Sequence, residues 1–123
     1  AANPALLGAD QSVTITTASA DVNNPGMAQS SPVITISGAI TNPVITNVTT
    51  GQTLGLTMAI GTGEPVVVDC ERFRATKGGV SVVSALGEAF LTGGFKLAPG
   101  INAITVAGTG TKNVEIAWTP RYY

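Results

Sequence analysis

Histidine is absent from the sequence, which removes the commonest general base and the commonest metal ligand together. The single cysteine, Cys70, has no partner for an internal disulfide, and nothing resembles a zinc cluster. A reducing compartment, or assembly inside a cell, suits such a chain better than secretion as a disulfide-stapled module. Charge is scarce as well: charged residues make up 11% of the chain and the net charge is −1. Without a basic face to neutralise phosphates, nucleic-acid binding is not expected. Aromatic residues are only 5%, so the core must be built mainly from Val, Ile, Leu and Ala. No apolar run approaches the ~20 residues of a membrane span. The start, Ala1-Ala2-Asn3-Pro4, has no basic region followed by an apolar one and no initiator Met. It reads as an excised domain or a processed chain, without a signal peptide.

What is present points to strands. Hydrophobic residues reach 44% with fifteen glycines, and Thr and Val abound, a composition of short strands joined by tight turns. At 123 residues one domain is expected, long enough to bury roughly two thirds of its unfolded surface. Alternation predicts strands at 12–17, 33–37, 44–48, 65–70, 80–83 and 102–107, and a last one from Val114 up to Pro120. The best alternation sets Leu54, Leu56, Met58 and Ile60 on one face of an eight-residue strand. Residues 21–31, with Asn23-Asn24-Pro25-Gly26, read as a long exposed loop, and 84–90 as a helical turn or an irregular crossing. Gly61-Thr62-Gly63 reads as a hairpin turn. Near the C-terminus one strand is expected to enter a Pro99-Gly100 turn and another to leave it, and Gly108-Thr109-Gly110 reverses the chain into a last strand. Pro120 is expected to stop that strand at a sheet edge. The expected fold is all-β, an antiparallel two-sheet β-sandwich of eight to ten short strands. Residues 1–19 are read as a lead-in with the first strand that continues from an upstream domain, and 20–123 as the sandwich.

A series of turn-and-strand units carries a family resemblance. These are Asn24-Pro25-Gly26, then Ser31-Pro32-Val33-Ile34-Thr35-Ile36-Ser37-Gly38, then Asn42-Pro43-Val44-Ile45-Thr46-Asn47 with Thr49-Thr50-Gly51. Gly63-Glu64-Pro65-Val66-Val67-Val68-Asp69, Leu97-Ala98-Pro99-Gly100-Ile101-Asn102 and Trp118-Thr119-Pro120-Arg121-Tyr122-Tyr123 complete them. In this order they resemble the C-terminal domain of siphophage distal tail proteins, the minor tail proteins of the tail-tip hub or baseplate. The resemblance implies a galectin-like, jelly-roll-like sandwich located in the virion at the tail tip and assembled in the bacterial host cytoplasm. It implies contacts with other tail proteins and with receptor-binding proteins in host adhesion. A homo-oligomeric ring belongs to the full-length context, because the ring-forming domain is not in this sequence.

The chemically interesting residues have structural explanations. Asp69 and Glu71, two apart, would share a strand face, as a glycosidase pair in a cleft would need. Pairing with Arg72, Arg74 or a cross-strand partner, or capping of a turn by Asp69, accounts for them without catalysis. Cys70, following three valines, is expected in the core; Arg72 on its strand face leaves a reactive thiol disfavoured. Trp118 is in phase with Val114 and Ile116 and is the expected core anchor rather than a sugar-stacking platform. Replacing it with alanine should then cost about 3–5 kcal/mol. Arg121, Tyr122 and Tyr123 are the contact candidates, suited to a sheet edge or a neighbouring subunit. The glycine-rich turns precede strands, so no phosphate-cradling helix start follows them. No catalytic, metal or cofactor site is expected. The function expected is structural, in a phage tail tip. The alternative is a carbohydrate-binding module that mediates attachment to a cell surface.

Overall fold

The structure is a computed structural model that describes residues 11–27, 29–87, 90 and 94–118. Along these residues run β1 (Gln11–Ile15), β2 (Ser19–Asn24), β3 (Val33–Ile36), β4 (Ile40–Asn47), β5 (Gln52–Gly55) and β6 (Ala59–Ile60). They continue as β7 (Val66–Asp69), β8 (Arg74–Lys77), β9 (Val80–Ser81), β10 (Gly100–Gly110) and β11 (Val114–Trp118). One sheet has the order β1-β11-β3-β7-β8-β9, the other β2-β10-β4-β5 with β6 also on β4. All pairings between these strands are antiparallel. The chain is therefore the all-β, two-sheet sandwich that its alternation predicts.

Inward positions of both sheets make the core. Ile34 and Ile36 of β3, Val66 and Val68 of β7, and Val114, Ile116 and Trp118 of β11 face Val22, Ile45, Leu54, Ile104 and Val106 of the opposing sheet. Phe90 and Phe95 are the largest of the fully buried side chains among the described residues. Strand β1, in the segment expected as a lead-in, lies alongside β11 with Val13 opposite Ile116 and Ile15 opposite Val114.

Several boundaries differ from the sequence expectation. The segment 21–31 is not all loop: its first four residues complete β2. Val22 is the one apolar residue among those four and is buried; the other inward position holds Asn24, which hid the alternation from a hydrophobic reading. A further strand, β8, follows the Asp69–Arg74 turn, and the strand expected at 80–83 shortens to β9 before a 3-10 turn at Val83–Ala85. The expected eight-residue strand around Leu56 is split into β5 and β6. Its facing is right, with Leu54, Leu56 and Ile60 buried and Met58 half-buried. Its ladder breaks because β4 bulges: Asn42 sits at φ 51, next to Pro43, which has no N–H to donate. Between Ala107 and Thr109 of β10 the register with β4 shifts. Leu56 N–H donates instead to Pro43 O at 3.0 Å and Thr57 N–H to Ala85 O at 2.8 Å.

The two glycine-rich turns are not hairpins, and no strand enters the Pro99-Gly100 turn among the described residues: Leu97 makes only an isolated bridge to Ser30. Gly61–Gly63 carries the chain from β6 in one sheet to β7 in the other, and Gly108–Gly110 lies within β10. The crossing to β11 falls at 111–113. Nor does β11 end at an edge, for it lies between β1 and β3. A glycine is required at 110: φ is 124° and a Cβ there would run into the carbonyl oxygen of Ala39.

Candidate interaction surface

One end of the sandwich gathers the buried asparagines among the described residues. Asn24 ends β2, Asn47 ends β4 and Asn102 stands near the start of β10, each inward and at most 1% exposed. Asn102 Nδ2 donates to the carbonyls of Ala98 at 2.8 Å, Gly100 at 3.1 Å and Val22 at 3.3 Å. Its Oδ1 accepts from Ala98 N–H at 2.8 Å and from Asn47 Nδ2 at 3.0 Å. Asn47 Nδ2 also donates to Lys96 O at 2.9 Å, while its Oδ1 accepts from the N–H groups of Thr49 and Thr50. Asn24 links the sheets: its Oδ1 accepts from Trp118 Nε1 at 3.3 Å and from Gly26 N–H, and its Nδ2 donates to Leu97 O. Among the described residues no buried side-chain nitrogen or oxygen lacks a hydrogen-bond partner. These amides replace backbone ladders where the strands stop, and they fix the loops that surround them.

Sequence reasoning used Asn24, Asn47 and Asn102 only as turn markers. A usable signal was present, since each continues the inward phase of its strand: Asn24 with Val22, Asn47 with Ile45, Asn102 with Ile104. A polar amide in a core phase at a strand end is a candidate loop lock.

Trp118 is 4% exposed, its ring in the core. The Asp69–Arg74 cluster does not form a strand face, which corrects that expectation. Asp69 ends β7 and caps a four-residue turn, its Oδ1 accepting from Glu71 N–H at 3.1 Å and Arg72 N–H at 3.3 Å. Arg72 Nη1 pairs with Asp69 Oδ2 at 3.1 Å, and Glu71 is turned into solvent. Cys70 is buried without Arg72 beside it on a strand; burial, and then the Asp69 carboxylate, push its thiol far above the ordinary range, the opposite of an activated nucleophile. Arg121, Tyr122 and Tyr123 lie outside the described residues.

Two concavities flank the β7–β8 hairpin. At its closed end Gln29, Ser31, Cys70, Glu71, Phe73 and Lys96 line a pocket of about 250 Å³. At its open end a groove of about 470 Å³ runs between Glu64-Pro65 and Lys77-Gly78-Gly79. There Lys77 Nζ meets Glu64 Oε2 at 2.8 Å, and the lysine holds the Glu64 carboxyl below its ordinary range. Around the asparagine-locked end three apolar side chains are exposed, Met27 at 60%, Val48 at 58% and Ile101 at 57%. Val48 N–H donates to Ala103 O, two residues along β10 from Ile101, so these two share the outward face of their sheet.

A family model described as the siphovirus-type tail component, C-terminal domain (SPP1 Dit), matches residues 25–122. Among solved structures, the chain is similar to the SPP1 Dit (gp 19.1) protein, whose structure is described as a paradigm of the hub adsorption apparatus in phages infecting Gram-positive bacteria. The TM-score is 0.73 at 20% identity, and the match covers 95% of this chain. It covers 48% of the SPP1 protein, so the chain spans about half the length of that relative. No curated protein matches it.

Proposed function

The chain belongs to the siphovirus-type tail components, as their C-terminal domain, and is a structural virion protein of the tail tip; from that premise we propose that it is a docking domain for other tail or receptor-binding subunits. The family match over residues 25–122 carries this reading. The asparagine-locked end supports it, because rigid loops that present Met27, Val48 and Ile101 to solvent lose little entropy when a partner covers them. Repetition of the domain around a homo-oligomeric ring would multiply weak contacts into firm attachment. The mechanism is binding, without a catalytic step.

Fab fragments raised against the folded domain test the placement. On negatively stained virions they should decorate the tail tip alone; decoration of the head or of the whole tube would sink the reading. Particles carrying Val48→Asp and Ile101→Asp together test the surface. They should keep tube and ring but lose a receptor-binding subunit from their composition, whereas unchanged composition would rule this face out.

A further inference from the structure

We propose that the pocket at the closed end of the β7–β8 hairpin is a subsite for a single neutral sugar ring, with Phe73 as its stacking face. This goes beyond docking to tail subunits and does not rest on it.

The backbone supplies the first observation. Phe73 stands at φ 54, a left-handed conformation that a bulky side chain adopts at a cost of order 1–3 kcal/mol and that concentrates at binding sites. Glycine would serve the turn better, yet an aromatic occupies it. That ring is 41% exposed. It rests against the buried Phe90, centroids 5.4 Å apart and planes tilted by 57°. Gly94 also lies behind it, at a site where even a Cβ would come within 3.5 Å of the ring. Phe73 is therefore held from the core side and open toward the pocket.

The second observation is chemical. With Phe73 the pocket is lined by Gln29, Ser31, Glu71 and Lys96, residues that carry an amide, a hydroxyl, a carboxylate and an ammonium. Together they offer both donors and acceptors with no net charge, the pattern that recognises a polyol rather than an ion. An aromatic face takes the C–H side of a sugar ring while such groups take its hydroxyls. The larger groove offers less: its Glu64 and Lys77 are already paired with each other, and the rest is largely glycine, proline and aliphatic surface.

The third is rigidity. Ser30 and Leu97 exchange backbone hydrogen bonds of 3.0 and 2.9 Å, and Cys70 N–H donates to Pro32 O at 3.1 Å. Lys96 is fixed on both sides of its backbone, its N–H to Gln52 Oε1 at 2.8 Å and its carbonyl to Asn47 Nδ2. Asp69 caps the turn that carries Glu71 and Phe73. The three walls are thus pre-organised before a ligand arrives.

Titration of the isotopically labelled chain with methyl glycosides of glucose, galactose and N-acetylglucosamine, followed through amide chemical shifts, tests the site. At least one glycoside should give saturable shifts centred on residues 29–31, 70–73 and 96. Phe73→Gly suits the backbone and removes the ring, so it should weaken binding by about tenfold or more. No saturable shift with any glycoside, or binding unchanged by Phe73→Gly, would overturn the proposal. If that variant does not fold, Glu71→Gln decides: the side chain is exposed, and binding that survives its change undiminished counts against the site. The Fab labelling of virions is a separate measurement, so failure here leaves the tail-tip placement standing.

Discussion

Asn102 concentrates more of the architecture than any apolar residue, because one amide satisfies backbone groups of β2 and of the Ala98–Gly100 turn and the side-chain amide of Asn47 at the end of β4 at once. Truncation to alanine would leave the buried carbonyl of Val22 and the amide of Asn47 without this partner. Each such group costs about 1–3 kcal/mol. Asn102→Ala should therefore lower unfolding free energy by about 3 kcal/mol in urea denaturation, more than an ordinary Ile→Val change in the same core. A loss under about 0.5 kcal/mol, the range of surface substitutions, would show that water replaces the amide and that the end is not locked. Trp118 shows what a side-chain phase reveals. Its burial follows from alternation with Val114 and Ile116, whereas its hydrogen bond to Asn24, a residue 94 positions away, does not. Phase is local, but a partner across the sandwich is set only when the sheets face each other.

At the scale of elements, alternation located Leu54, Leu56, Ile60, Val114 and Ile116 on inward faces, because a period of two is a property of the strand itself. It could not locate crossings. Gly61–Gly63 and Gly108–Gly110 have the composition of hairpin turns, yet one passes the chain between sheets and the other lies inside an eleven-residue strand. Glycine marks unusual φ or close approach, and both causes look alike in a sequence. In β10 the cause is close approach to the bulged start of β4: Gly108 is at φ 137° with Ile40 Cδ1 3.0 Å from where a Cβ would stand. Gly110 meets the Ala39 carbonyl, which is backbone and cannot rotate away. Gly110→Ala should then destabilise by roughly 3 kcal/mol, the upper part of the range for strained backbone, while Gly51→Ala, at φ 77 with nothing near it, should cost only the left-handed backbone strain of about 1 kcal/mol. Thermal melts of the two variants make the comparison. Equal losses would mean that β10 shifts away from Ala39 without penalty.

For the whole molecule, the decisive contact joins the beginning of the described chain to its end. β1 covers the flank of β11 through five paired residues, from Gln11 opposite Trp118 to Ile15 opposite Val114. Its Ile15 is 1% exposed and belongs to the core. Sequence alone left this strand in a lead-in, because the pairing spans about a hundred residues and nothing local in Ser12-Val13-Thr14-Ile15 names its partner. A chain begun at Ser19 would turn β11 into an edge, with unpaired N–H and C=O groups and an uncovered apolar flank. Burial of one isoleucine alone is worth about 1.5–3 kcal/mol, and the ladder and Val13 add to it. The shortened domain should melt at least about 8 °C lower than the full chain, since 1 kcal/mol corresponds to roughly 4 °C at this size. It should also self-associate in sedimentation as the new edge finds a partner. Melting within about 2 °C of the full chain, as a monomer, would instead place β1 outside the cooperative unit.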